Sequence, residues 1–597
     1  MFLKRTVRRK DGKEHCYWSL VENRRVDGGK KVVQRHVLYL GEINSTQQAA
    51  WRKTIEIFEE GSSRSRTVAL FPEERAPALP DEKVVRIRLD QLALRRPRQW
   101  GACWLACHLY QKLGLDTFWT ERLQPSRKGT RWDHVLQTLV AYRLIDPGSE
   151  WRLHREWFDK SAMADLLGED YRLAVDDTLY RCLDQLHAHK EALFSHLQQR
   201  WKDLFAAEFE VLLYDLTSTY FESDPPFPAG DKRAFGYSRD KRPDCVQVVI
   251  ALVVTPEGFP LAYEVLPGNT QDRQTLRSFL EKIQKQYGKA RRVWVMDRGI
   301  PTEEVLQEMR AAAPPVRYLV GTPKGHLTKL EKQLAERPWQ DVRAGVSVKL
   351  LPLDNECYVF AQSAARISKE RAMRRRQLKW LWRRLPEIRH MKKLTRDELL
   401  MKLGAARQQA PSAWRLVAVR TPGKDEEINE RTFSWRLRKK KLRQVRRREG
   451  RYLLRTNLRE EDPAKLWQYY IQLTQVEEAF KNLKGDLALR PIFHQHQSRI
   501  EAHIFVSFLA YCLHVTLRRW VRDLAPGLTP RSVLEKFAAV QMIDVHLPTT
   551  DGRRVILPRY TQPERELQLL FETMNLTLPE QPPPRITSTG EVAAHPL

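Results

Sequence analysis

The chain has 597 residues, and 42% of them are hydrophobic. That composition excludes a disordered protein, and the length exceeds the ~250–300 residues at which one core stops growing. Lys and Arg number 103 against 74 Asp and Glu, a formal charge of +29, which points to a polyanion, nucleic acid ahead of a membrane surface.

In chain order, Tyr17–Glu22 and Val32–Leu40 read as strands of a hairpin across Asp27-Gly28-Gly29, a turn that favours positive φ. Helical spacing follows around Gln47–Glu59, giving an N-terminal β/α region at 1–60. Gly61–Asp81 is rich in Ser, Arg and Pro, and 61–98 reads as a linker. From 99 to 207 the pattern is helical, clearest at Asp176–Leu186 and Leu193–Leu204; a DNA-reading domain and an ordinary helical bundle both fit. Cys103 and Cys107 in this stretch have no second ligand pair at zinc-finger spacing and read as buried helix residues. The seven scattered cysteines, with no signal peptide ahead of them, suggest a reducing cytoplasm, with the protein on the nucleoid.

The character changes near 209. Phe209–Leu216, Val246–Val254 and Leu261–Leu266 read as consecutive strands. Helix Gln274–Gln286, strand Arg292–Met296, helix Thr302–Ala312 and strand Arg317–Val320 follow. The order β-β-β-α-β-α-β predicts an α/β fold, an RNase-H-like core of mixed strands with helices on both faces. We assign 208–325 and 452–525 to this catalytic core and 326–451 to a basic insertion. The insertion carries strand-like Val346–Leu351 and Cys357–Ala361, then basic Arg366–Lys393 with Trp380 and Trp382 inside it, then a second basic block at Trp435–Arg448. The charges suit a DNA path and the tryptophans suit core packing. Long helices are predicted at Pro463–Leu487 and Arg499–Arg522. No apolar run reaches the ~18 residues that span a bilayer, so no membrane is expected. Residues 526–597 form a C-terminal region whose proline-rich tail, from Pro579, is expected to be disordered.

Three acids carry the chemistry. Asp215 lies in or at the end of a buried strand, where an ionised carboxylate needs a partner. Asp297 follows Val-Trp-Val-Met at a strand end, where ligands commonly gather; its bland alternative is a cap on the helix at Thr302. Glu477 lies on a helix with Tyr470 and Lys484 seven residues to either side, so all three share one face. Val476, Phe480 and Leu483 form the apolar stripe beside it. The bland alternative here is an ion pair of Glu477 with Lys481. Glu478 is turned ~100° away, which favours Glu477. Together the three acids can hold two Mg²⁺ or Mn²⁺ ions, which take oxygen ligands and assist in-line phosphoryl displacement.

At this point the sequence resembles the DDE transposases of bacterial insertion sequences, in the branch marked by a Tyr-x2-Arg-x3-Glu-x6-Lys signature. Tyr470, Glu477 and Lys484 match it, and Leu473 stands where that signature has Arg. The segments Gly236–Asp244, Pro267–Thr270, Asp297-Arg298-Gly299, Arg490-Pro491-Ile492 and Arg499–His503 are similar too. The resemblance implies that Asp215, Asp297 and Glu477 bind two catalytic metals, and that Tyr470 and Lys484 contact phosphates at the transposon end. Arg298, Lys481 and the loop residues Tyr237, Arg239 and Arg242 join them as candidate DNA contacts; for that loop, a plain surface role is equally open. The implied substrates are double-stranded terminal inverted repeats and target DNA, bound by a homodimer in the synaptic complex. The rivals are an RNase-H-like nuclease that cuts without joining, and a non-catalytic DNA-binding descendant of a transposase.

Overall fold

The structure, a computed structural model, describes residues 2–10, 13–26, 31–42, 55–58, 65–68 and, from 85 to 587, all except 128, 241, 289–291, 323–325, 327–329, 331–332, 392, 425 and 461. Two compact units emerge. One comprises residues 1–109, 137–179 and 520–597, the other 110–136 and 180–519. The helical stretch expected at 99–207 is thus divided between them.

In the first unit, Phe2–Lys10, Lys13–Val26 and Lys31–Glu42 form an antiparallel three-stranded sheet that contains the expected hairpin. Its Asp27-Gly28-Gly29 turn lies outside the described residues. The expected helix near 47–59 is corrected where the structure describes it. Ile55–Phe58 is a strand paired with Ser65–Val68, as suits the β-branched, alternating Ile-Glu-Ile-Phe. Ala93–Gln99, Gln541–Pro548, Arg554–Tyr560 and Arg585–Thr587 form a second sheet. The last strand puts order inside the tail expected to be disordered from Pro579, because its backbone pairs with Arg554–Ile556; residues 588–597 lie outside the described ones. Arg98 is buried here between Asp165, at 2.7 Å, and Asp544, at 3.0 Å, which satisfies its charge.

The second unit is built on a nine-stranded sheet. Strands β1 (Val211–Phe221), β2 (Val246–Val254) and β3 (Pro260–Pro267) form an antiparallel meander. Helix α1 (Asp272–Tyr287) leads to β4 (Val293–Met296), and α2 (Glu303–Ala311) leads to β5 (Arg317–Gly321). β4 lies parallel to both β1 and β5. The elements follow the expected succession β-β-β-α-β-α-β, and the five strands lie side by side in the order 3-2-1-4-5. All nine residues of β2 are buried, as an apolar run broken only by Gln247 requires of a strand covered on both faces.

The insertion departs from expectation. It does not simply interrupt the core, because its first strands extend the same sheet. β6 (Gln340–Arg343), β7 (Val346–Leu353) and β8 (Glu356–Ser363) continue it through β9 (Arg451–Thr456), which pairs antiparallel with both β5 and β8. Between β8 and β9 run helix α3 (Ala364–Arg389), helix Arg396–Gln409 and helix α4 (Lys439–Arg448). Leu381, Leu385, Ile388, Leu399, Leu403 and Phe433 give this part its own small core. Trp380 packs against that core as expected, whereas Trp382 is 41% exposed, so packing accounts for only one of the two tryptophans.

The long helix expected at Pro463–Leu487 is two helices, α5 (Pro463–Ile471) and α6 (Leu473–Lys484), meeting at Gln472. α6 packs on β1. The helix Gln497–Leu524 is apolar and long enough to meet a membrane-span criterion that its sequence was not expected to meet; its apolar window is wholly buried.

The loop after β1 is held by close backbone approach. A Cβ on Gly268 would overlap the carbonyl oxygens of Gln247 and Ala234. Gly268→Ala is therefore expected to cost about 2 kcal/mol, as overpacking does, and to lower the denaturant midpoint without changing the m-value.

Candidate active site

The site follows from strand register. Met296 pairs with Tyr214 in the parallel β4–β1 ladder, so Asp297, one residue beyond β4, stands level with Asp215 in β1. β4 ends there because Arg298 and Gly299 turn away, Gly299 at φ 89°. The alternative role of Asp297 as a helix cap is removed, since Thr302 itself caps α2 by accepting from the Val305 amide at 3.3 Å. Glu477 comes from α6, whose apolar side, Val476, Phe480 and Leu483, is buried as expected. Glu478 instead pairs with Arg518 at 2.9 Å.

Asp215, Asp297 and Glu477 line one cleft of about 380 Å³. Burial, reinforced by the neighbouring carboxylates of Asp297 and Glu477, pushes the Asp215 carboxyl up to about 7. Among the described residues no Lys, Arg or His forms an ion pair with any of the three. A cluster of oxygen donors that repel one another and pair with no protein cation among the described residues fits hard divalent ions, whose charge would satisfy it.

The remaining candidates divide. Tyr470 and Arg298 line the cleft. Tyr470 stacks on Tyr452 at 5.6 Å, and burial beside Asp297 pushes its hydroxyl up to about 12, so it stays neutral. Lys484 is not in the cleft: its ammonium donates to Asp240 at 2.9 Å. Arg239 donates to Asp272 at 2.5 Å, and Arg242 to Asp244 and Glu222 at 3.1 Å each. Tyr237 is 84% exposed, and Lys481 is exposed. Leu473, in the place of the signature Arg, lines the cleft while 8% exposed.

Sequence reasoning did not assign Arg366, Arg448 and Arg451, which also line the cleft. For Arg366 and Arg448 the signal was present only as the two basic blocks of the insertion, without anything to single out these positions, and Arg451 lies outside both blocks.

Removing one carboxylate relieves the repulsion. In metal-free buffer at neutral pH, Asp215→Asn is expected to stabilise the fold by roughly 1–2 kcal/mol. Each tenfold gain in proton affinity on folding is worth about 1.4 kcal/mol; the Asp215 shift spans more than one such step, and relaxation and water entry in the open cleft trim the total. Added Mg²⁺ should raise the thermal midpoint of the unmutated protein and leave that of the variant nearly unchanged. Equal metal responses in a calorimetric scan would contradict the assignment.

Family models place the chain among known proteins. A family model for the transposase DDE domain matches residues 206–513, and one for the N-terminal domain of the IS1634 family transposases matches 3–69. No curated protein sequence matches the chain. Among solved structures, a piggyBac transposase synaptic complex with hairpin DNA is similar at a TM-score of 0.33 and 10% identity, over 73% of this chain and 79% of that one. The DDE match spans the sheet, the cleft and all three acids, and the chain belongs to the DDE transposases of bacterial insertion sequences.

Proposed function

We propose that this DNA transposase cuts at the ends of its own mobile element and joins them to target DNA, with Asp215, Asp297 and Glu477 holding two Mg²⁺ or Mn²⁺ ions. The observation that carries this reading is the cluster of three carboxylates, unpaired among the described residues, in one open cleft. Bound there, the two ions would neutralise charge on the attacking and leaving oxygens of an in-line phosphoryl displacement.

The residues of the chain do the rest. The sheet holds Asp215 and Asp297 level, and α6 brings Glu477 to them, so the ligands are set before DNA arrives. The Tyr470 hydroxyl donates to a phosphate oxygen, and the Arg298 guanidinium offsets its charge. Water attacks the phosphodiester at the element end and frees a 3′-OH. That 3′-OH attacks a target phosphodiester, forming one P–O bond as another breaks. No covalent protein–DNA intermediate arises, so no Ser or Tyr nucleophile is required. Two ends handled together imply a homodimer in the synaptic complex, acting on inverted repeats.

The test uses a plasmid carrying the gene with its native flanking DNA. The unmutated protein should cut at the element ends in Mg²⁺, stop when the metal is chelated, and yield products joined to a second plasmid. Asp215→Ala, Asp297→Ala and Glu477→Ala should each lose at least ~10³-fold in cleavage rate while retaining DNA binding. Cleavage that survives in any of the three refutes the assignment, and cleavage without joined products leaves a nuclease.

A further inference from the structure

The cleft has a second wall. Arg366 enters from the first turn of α3, Arg448 from the last turn of α4, and Arg451 from the start of β9. β9 runs antiparallel to β5, so its first residues lie at the sheet edge from which Asp297 emerges. These residues belong to the insertion or its junction with the core, whereas the acids belong to the core.

The three arginines are brought together by one turn. Glu449 is buried and ion-paired to Arg374 of α3, with Arg371 at 3.4 Å. The Gly450 amide donates to Glu370 at 3.0 Å, and the Gly450 carbonyl accepts from the Ser363 amide at 3.0 Å. Gly450 sits at φ 70°, and a Cβ there would overlap Ile367 of α3. The end of α4 is thereby clamped to the start of α3. Arg366 also lies over the Tyr452 ring at 4.8 Å, and Arg451 donates to Gln362 at 2.8 Å. The Arg366 and Arg451 guanidiniums are held by these contacts, and Arg448 lines the cleft beside them.

We propose that Arg366, Arg448 and Arg451 form a positioning wall that grips the DNA backbone beside the scissile phosphate, in place of a cation at position 473. The inference rests on the catalytic reading above. β9 lies two strands from β4, roughly 10 Å at ~4.8 Å per strand. That distance is about three nucleotides of rise at ~3.4 Å each. The wall therefore reaches phosphates within about three nucleotides of the cut. Planar guanidiniums suit this role because they bind phosphate oxygens bidentately.

The test measures single-turnover cleavage and, separately, binding. Its substrate is a short duplex spanning the cut that the unmutated protein makes on the plasmid. Arg366→Ala, Arg448→Ala and Arg451→Ala should lower the rate about 10²-fold, with Kd rising less than about tenfold. Arg448→Lys, which keeps the charge and the fold, should recover only part of the rate. Lys440→Ala, on the exposed face of α4, should alter only Kd and its salt dependence. Uncharged methylphosphonates placed within three nucleotides of the cut should slow the unmutated protein. At the contacted phosphate they should add little to an arginine variant. Unchanged rates in all three variants overturn the wall, as do fully multiplicative losses at every phosphate. If Asp215→Asn also cleaves normally, the catalytic reading itself has failed; if only the arginine variants do, this inference alone has failed.

Discussion

Three carboxylates facing one cleft, with no ion-pair partner among the described residues, form the constraint on which the architecture turns. Such a cluster opposes folding, because each ionised oxygen raises the cost of the next. The protein meets that cost with rigidity. Asp215 lies in an eleven-residue strand whose neighbour β2 is buried along its whole length, and Asp297 is fixed by the parallel register of β4. Close approach at Gly321 matters too, since a Cβ there would sit 3.3 Å from the Asp297 carboxylate. The helix that carries Glu477 is seated by Val476, Phe480 and Leu483, so the third acid is placed by ordinary apolar packing.

The insertion is best understood from the same sheet. A segment leaving β5 and returning at β9 could have formed a body of its own, joined by two linkers. Instead β6, β7 and β8 prolong the sheet, and β9 bonds to β5 on one side and β8 on the other. Both junctions with the helical part therefore lie beside the cleft. That arrangement lets a stretch dense in Arg and Lys present side chains to an acidic centre from a rigid base. The helical part can hold itself together through its own apolar cluster around Leu385 and Leu399, leaving its cations free to face outward.

Much of this was legible in the sequence. The succession of strands in the core, the place of Asp215 in a strand and that of Asp297 at a strand end follow from period and strand-end reasoning, and α6 turns Glu477 to the cleft and Glu478 to Arg518. Local pattern failed where pairing partners decide the outcome. Ile55–Phe58 reads within a helical spacing, yet pairs with Ser65–Val68. Arg585–Thr587 lies in a proline-rich tail, yet completes a sheet edge. The strands of the insertion were visible at Val346–Leu351 and Cys357–Ala361. Their membership of the core sheet was not, because a register between distant strands leaves no trace in either alone. Arg366 and Arg448 were lost among many similar residues, since only the Gly450 turn distinguishes them.

Lys484 shows how far periodicity can be pushed. Seven-residue spacing does put Glu477 and Lys484 on one helix face, but it also sets them ~10 Å apart along the axis. A common face is not a common site. The cleft takes Tyr470 and Glu477, while Lys484, near the far end of α6, meets Asp240, which Arg490 also reaches at 2.7 Å. The break at Gln472 is consistent with this, because α5 and α6 need not share one axis to bring Tyr470 and Glu477 together. At the start of α6, Leu473 is buried against the site and contributes packing rather than charge. A guanidinium in that place would stand one turn from Glu477 and would tend to pair with it, competing with the cations the acids are arranged to hold. Positive charge supplied from the insertion, on the other side of β5, avoids that competition and leaves the carboxylates available.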